Sequence, residues 1–389
     1  MQLCKGLEVE LYTGNQSGEI IGLSDRIVRD CTGFVREPDS RNVEYTTAPL
    51  ASYDRLLCAI LRPRRQLRQY LTTLNPDYTL IPGSCLALGG TEKFYRSDPQ
   101  NPYHAYIEQT YGTQVVTASI HINIGIPDPE ALIRACRLLR VEAPLFLALS
   151  ASSPFLGGQV TGAHSSRWQM FPKTPAEVPL FRSHLDFIQW TETQLRLGTM
   201  QNVRHLWSSV RPNGDNRPYN LNRLELRICD LVTNPLHLLA IVVLLEARLQ
   251  QLLQTPELDP LQQSSLTPAE LLQLADQNEA KAAQTSLAAT LNDWRDGQPR
   301  SASDWIQSLY DEVYPWAKQC GFACFLTPLP GLLSQGNMAQ QWLAQFHAGQ
   351  SLPTILQRAI ATMAEEEALL ADSLCLPDKS LTAPALSLV

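Results

Sequence analysis

The sequence predicts an α+β protein: an antiparallel β-sheet with one chemically loaded polar face, and helices packed on the other. Two observations carry this expectation. Four short segments alternate polar and apolar residues with the strand period of two, and longer stretches repeat apolar residues at helical spacing. In "KGLEVELYTG", Glu8 and Glu10 take one side while Leu7, Val9 and Leu11 take the other. In "RNVEYTT", Asn42, Glu44 and Thr46 share a side. In "ASIHINIGI", Ser119, His121 and Asn123 oppose Ile120, Ile122 and Ile124, and in "NRLELRICD", Arg223, Glu225 and Arg227 oppose Leu224, Leu226 and Ile228.

The helical segments follow in order. Tyr53 to Leu74 carries Leu56, Leu57, Ile60, Leu61, Leu67, Tyr70 and Leu71 on one stripe. Helices and strands then mix as far as Leu231. From Asn234 to Asp296 the chain is rich in leucine and glutamine, with Thr267 placed to cap a helix and Pro268 at its first position. The apolar run Leu236 to Leu245 is shorter than the roughly 20 residues that cross a bilayer, so it predicts a buried helix. "WRDGQPRSASDW" reads as a loop, with Ser303 as cap of a helix reaching about Cys320. A last helix pair follows. The expected organisation is a single catalytic domain over 1–375, helical from about 234, with a poorly ordered tail at 376–389.

The 389 residues carry a formal net charge of -7, which provides no overall field for nucleic acid or an anionic membrane. The first twelve residues lack the basic start and apolar core of a secretory leader. Nine cysteines without a CxxC pair suit a reducing cytosol, and Cys320 and Cys324 are expected as buried free thiols. "ILRPRRQLR" gathers Arg62, Arg64, Arg65 and Arg68 without interleaved aromatics, which predicts a solvated helix face.

Each alternating strand alone fits a sheet with one face in water. The recurring occupants of the polar side, however, are Glu8, Glu10, Glu44, His121, Glu225 and Arg227. If one sheet brings them together, four carboxylates converge, and their repulsion raises their pKa values unless cations sit among them. Carboxylates with one imidazole suit Mg²⁺ or Mn²⁺ better than a thiolate-seeking metal. Phosphates are the natural cargo of such a cradle, with Arg227 placed to neutralise a phosphoryl group in transfer. There is no Walker A loop: "GGQVTGAH" has Gly157 and Gly162 at the right spacing but Ala163 and His164 where lysine and serine or threonine belong. Kinase, Rossmann and GxSxG signatures are also missing.

The blocks "GLEVELYTG", "FVREPDSRNVEYTTAPL", "IPGSCLALGG", "SDPQNPYHAYIEQTYGTQVVTASIHINIGI", "LSASSPF" and "NRLELRICD" together resemble the cyanobacterial-type glutamate–cysteine ligases. These are carboxylate–amine ligases related in fold to glutamine synthetase, and the resemblance spans roughly residues 3 to 320. It implies a sheet curved into a funnel with helices on its outer face. It also implies that ATP phosphorylates the γ-carboxylate of glutamate and that the cysteine amine then displaces phosphate, the first step of glutathione biosynthesis. Metal coordination is carried onto Glu8, Glu10, Glu44, His121 and Glu225. Catalytic roles fall to Arg227 and Glu225, nucleotide contact to Arg227 and Asn123, and substrate contact to Arg167 and Arg223. Arg167, in "GAHSSRWQMFP", is read as a clamp for a substrate carboxylate. The expected cofactors are ATP and Mg²⁺ or Mn²⁺, the partners glutamate, cysteine and ATP, with no nucleic acid and no membrane, and the compartment the cytoplasm. Alternatives are a ligase using a different amine, a two-metal phosphoester hydrolase, and a non-catalytic module holding a structural ion.

Overall fold

The alternating segments assemble into one seven-stranded antiparallel sheet in a computed structural model that describes residues 2–375. Its strands are β1 (Lys5–Asn15), β2 (Phe34–Arg36), β3 (Asn42–Thr46), β4 (Tyr78–Ile81), β5 (Ile120–Gly125), β8 (Val210–Asn213) and β9 (Arg223–Leu226). Between them β6 (Phe155–Leu156) and β7 (Gln159–Val160) form a small hairpin, and β10 (Thr290–Asn292) and β11 (Pro299–Ser301) form another. The order across the sheet is β2-β3-β1-β5-β9-β8, which does not close on itself.

β1 organises this sheet. One edge pairs with β3 over Glu8–Tyr12; the other pairs with β5 over Lys5–Val9 and then with β4 over Tyr12–Asn15. Gly14 makes the crowded end of the strand possible, because a Cβ there would lie 2.1 Å from the Glu19 carbonyl oxygen and 2.7 Å from the Ile81 side chain.

The apolar side of the alternation becomes the core. Leu7, Val9, Leu11, Ile120, Ile122, Ile124, Leu224 and Leu226 are buried in one cluster with the helices Pro129–Ser150 and Pro235–Gln254. The second helix is capped by Asn234, whose side chain accepts from the backbone N–H groups of Leu236 and His237. Its length and composition would suffice to cross a membrane, yet 78% of its apolar window lies inside the fold, which makes it the buried helix expected. Thr267 forms the expected cap as a full capping box with Glu270. Ser301, not Ser303, caps the helix Ala302–Gln319, since the Ser303 hydroxyl donates instead to the Leu287 carbonyl.

Polar groups in the core register the sheet on its helices. Lys5 is fully buried, 2.5 Å from Glu246 and 3.8 Å above the Tyr53 ring. Glu246 also accepts from the Leu3 backbone and the Tyr53 hydroxyl.

Two expectations fail. The arginines of the helix Tyr53–Leu74 do not form a solvated face: Arg64 is fully buried, donating to the Tyr45 hydroxyl (3.0 Å), the Thr233 carbonyl (2.8 Å) and Glu367 (3.3 Å). Arg68 holds the other oxygen of Glu367 at 2.7 Å, whereas Arg65 and Asp372 form an exposed pair. The thiols also depart from expectation. Cys58 and Cys375 are joined in a disulfide that ties this helix to the end of the helix Leu352–Leu374, while Cys320 is half-buried and Cys324 exposed. The expected poorly ordered tail at 376–389 lies outside the described residues.

The buried arginine makes a testable distinction. Arg64→Ala removes the buried donor of Glu367, the Tyr45 hydroxyl and the Thr233 carbonyl, with Arg68 alone left on Glu367, and should lower unfolding free energy by about 3 kcal/mol. Arg65→Ala removes an exposed pair and should change it by no more than about 0.5 kcal/mol. Denaturant titration of both variants measures the contrast.

Candidate active site

Register places the acidic residues side by side. Glu8 faces His121 across β1 and β5, Glu10 faces Glu44 across β1 and β3, and Glu225 on β9 faces Asn123 on β5 and Arg211 on β8. Neighbouring strands lie about 4.8 Å apart, so side chains on one face of these pairs touch.

Two groups of possible metal donors result. Glu8, His121 and Glu225 form the first, and Glu10, Glu37 and Glu44 the second; within each, the donor atoms lie within 4.8 Å of one another. A hydrogen-bonded chain links the groups. His121 Nδ1 is 2.9 Å from Glu8 Oε2, and Ser119 Oγ donates to Glu10 Oε2 at 2.6 Å, which leaves the hydroxyl oxygen to accept from His121 Nε2 at 3.1 Å. Asn123 donates to Glu8 at 3.0 Å, while its side-chain carbonyl oxygen is buried with no partner.

The groups differ in charge balance. Glu225 is fully buried and takes Arg211 through Nε (2.7 Å) and Nη2 (3.1 Å), Asn213 at 2.7 Å, and Arg227 Nη1 at 2.5 Å. Burial pushes its pKa up, but Arg211, Arg227 and His121 outweigh that and hold it well below the usual carboxylate range. Glu8 is opposed by burial and by Glu225, yet its contacts with His121 and Arg227 keep its pKa low. Both are charged at neutral pH.

The second group lacks such cations. Burial first, then repulsion from Glu10, lifts Glu37 to about 8, and burial with repulsion from Glu37 and Glu8 pushes Glu44 well up. Protons substitute here for missing positive charge. The oxygen-rich donor set, the raised carboxyls and the unpartnered Asn123 oxygen all fit divalent cations such as Mg²⁺ or Mn²⁺.

The structure therefore brings together Glu8, Glu10, Glu44, His121, Glu225, Asn123 and Arg227 from the sequence-derived set. Arg167 lies behind them: buried, it donates to the backbone carbonyls of Ile228 and Arg227 at 3.1 Å each and sits 3.8 Å from Asp230. Arg223 donates to Asn222 (2.9 Å) and Asp215 (3.4 Å). Sequence reasoning missed Glu37 and Arg211. Glu37 sits in the connection between β2 and β3, outside any alternation, where the buried Arg41–Asp39 pair (2.8 Å) fixes the turn. Arg211 shares a face with Glu225 but lies in "VRPN", whose proline breaks the pattern.

Against this geometry, the comparisons with known proteins are decisive. The model of glutamate-cysteine ligase family 2 matches residues 4–367. The chain belongs to that family. Similar curated proteins include a provisionally named glutamate–cysteine ligase 2-1 of Rubrobacter xylanophilus, 28% identical over 63% of this chain and 64% of that one. Another is the provisionally named glutamate–cysteine ligase 2 of Solibacter usitatus, 26% identical over 76% of each chain. The match thus spans a little under two thirds of the first relative's length. The fold is shared with a crystal structure of glutamate–cysteine ligase from Francisella tularensis in complex with AMP (TM-score 0.71, 14% identity, 96% of this chain and 92% of that one). It is shared too with a bifunctional glutathione synthetase from Pasteurella multocida (TM-score 0.72, 15% identity, 96% and 53%).

In the second acid group, Glu37 is lifted out of the ordinary carboxyl range by burial and by repulsion from Glu10. Between the ordinary carboxyl range and pH 8 the unfolded chain has lost the Glu37 proton while the folded, metal-free protein keeps it, so metal-free stability falls as pH rises through that window. A divalent cation displaces that proton, so Mg²⁺ should raise the melting temperature more at pH 8.5 than at pH 6. In Glu37→Gln the difference between the two pH values should shrink. Melting curves with and without Mg²⁺ at both pH values measure it.

Proposed function

We propose that this protein is an ATP-dependent carboxylate–amine ligase that joins the γ-carboxylate of glutamate to the amine of cysteine. The products are γ-glutamylcysteine, ADP and phosphate. The observation that carries this reading is the meeting, on one sheet face, of two separate carboxylate groups with Arg227 beside them, in a chain of this family. Carboxylates and amines do not condense usefully in water, so the carboxylate must first gain a leaving group. In the reaction proposed, the γ-carboxylate oxygen attacks the terminal phosphorus of ATP, ADP departs, and the neutral amine then expels phosphate from the acyl phosphate.

Each part of the site has a task in this scheme. Glu8, His121 and Glu225, with Glu10, Glu37 and Glu44, are the residues that would hold divalent cations, which when bound supply positive charge to the phosphate oxygens. Arg227, oriented by Glu225 at 2.5 Å, adds a fixed guanidinium whose charge needs no reorganisation as negative charge shifts towards ADP. Burial of Glu225 and His121 excludes water from the inner part of the face, which strengthens these interactions and protects the acyl phosphate. Asn123 and Arg227 are proposed as nucleotide contacts and Arg223 as part of the acid-substrate side, while Arg167, spent on backbone carbonyls behind the site, supports Arg227 instead of clamping substrate. The proposed compartment is the cytoplasm, where ATP and glutamate are available, and the proposed role is the first step of glutathione biosynthesis.

Purified protein given ATP, Mg²⁺, glutamate and cysteine should release ADP only when both amino acids are present. ADP release with another amine but not cysteine would rename the acceptor, and phosphoester cleavage without glutamate would support a hydrolase instead. Glu8→Gln and Glu225→Gln should each lower kcat by at least about a hundredfold, and Arg227→Lys should fail similarly, because a compact ammonium cannot replace the planar fork. Steady-state kinetics of the three variants test the assignment, and normal turnover in any of them removes that residue from the mechanism.

A further inference from the structure

Past Glu225 the sheet ends in surplus positive charge. Arg211 and Arg227 both spend donors on Glu225, with Glu8 the next carboxylate acting on them. A third arginine, Arg217, stands in the loop between β8 and β9, within electrostatic reach of Arg211, Arg227, Arg204 and Glu225. Its Nη1 is buried with no hydrogen-bond partner, and among the described residues no carboxylate forms an ion pair with it. Burial and repulsion from Arg211 pull its pKa down to about 9, the behaviour of a cation lacking its counter-ion.

The loop is built to keep the side chain there. A Cβ on Gly214 would lie 1.9 Å from the Asn220 carbonyl oxygen, so the strand leaves β8 through a position only glycine fits. Asn216 accepts from the Tyr219 and Asn220 backbone at 2.8 Å each. His184 Nε2 is 2.8 Å from the Pro218 carbonyl oxygen, and the Tyr219 hydroxyl donates to Glu192 at 2.9 Å. These anchors lie on both sides of Arg217.

We infer that Arg217 is the receptor for a substrate oxyanion, namely a carboxylate of the acid that this enzyme activates. The inference rests on the ligase reading and adds a specificity residue to it. A phosphate could offer the same oxyanion chemistry, but position favours the carboxylate. The two donor groups that would carry divalent cations and their phosphates lie between β3 and β9. Arg217 follows β8, the strand beyond β9 in the sheet order.

Arg217→Gln and Arg217→Lys, compared with wild type, separate the possibilities when glutamate and ATP binding are measured individually by calorimetry on Mg²⁺-loaded protein. Arg217→Gln should weaken glutamate binding at least tenfold, leave ATP binding unchanged, and leave the melting temperature of the free protein equal or higher, since an uncompensated cation is gone. Arg217→Lys should recover part of the glutamate affinity. A loss confined to ATP would overturn the carboxylate assignment in favour of phosphate. Unchanged binding of both, or a lowered melting temperature with glutamate affinity intact, overturns the proposal outright. Wild-type protein that binds glutamate but never ligates it would refute the ligase reading, while the Arg217 comparison still stands on binding.

Discussion

Mutual repulsion among carboxylates on one face of a sheet is the constraint that the rest of this structure answers. Glu8, Glu10, Glu37, Glu44 and Glu225 are all drawn into partial or full burial, an arrangement that costs free energy unless each charge is neutralised. The fold answers it in two ways. On the β9 side it supplies fixed cations, Arg211 and Arg227, and Glu225 stays ionised. On the β3 side no arginine or lysine pairs with the acids among the described residues, and burial with mutual repulsion pushes the Glu37 and Glu44 pKa values up. The β9 half is thus partly charge-balanced as folded, and the β3 half gains balancing charge only when a cation arrives. Such an asymmetry suits a reaction in which a metal-bearing nucleotide must be recruited while the arginines remain in place.

Holding Arg227 in place is a task for residues with no part in the chemistry. Arg227 lies just past the end of β9, where ladder hydrogen bonds no longer fix the backbone, although its N–H still reaches the Ser209 carbonyl at 2.7 Å. Arg167 binds its carbonyl and the next from behind, and Asp230 steadies this corner while accepting from Ser152, Ser153 and Ser165. Burial raises the Asp230 pKa, a rise that Arg167 and these donors oppose. On the opposite face the Lys5–Glu246–Tyr53 cluster pins the start of β1 to the central helix, which sets the register that places Glu8 opposite His121.

What the sequence disclosed follows from what periodicity can encode. A period of two announces which side chains share a face, so Glu8, Glu10, Glu44, His121, Asn123 and Glu225 were legible before any strand was paired. Irregular connections announce nothing of the kind. Glu37 sits in one and Arg217 in another, and each is brought to the site by local turns whose hydrogen bonds, Arg41 to Asp39 and His184 to Pro218, join residues that no pattern links. The buried role of Arg64 was hidden for a related reason, because its partners Tyr45, Thr233 and Glu367 come from three remote parts of the chain. The Cys58–Cys375 bridge spans 317 residues and was equally invisible to spacing. Arg167 shows the opposite failure: residue type was read correctly as a fork seeking two acceptors, but the acceptors it meets in the folded chain are backbone carbonyls.

The charge gradient across the sheet also orders the two halves of the proposed reaction. An acid substrate meets no paired arginine or lysine beside Glu10, Glu37 and Glu44 among the described residues, whereas the side bearing Arg211, Arg217 and Arg227 attracts it. A free triphosphate meets repulsion at the carboxylates and can approach them only with its charge neutralised by divalent ions. In the proposed reaction the two anionic reactants would be drawn to different parts of the sheet by their own charges. They would meet over the middle strands, β1 and β5, where Glu8 and His121 lie, with Arg227 beside them.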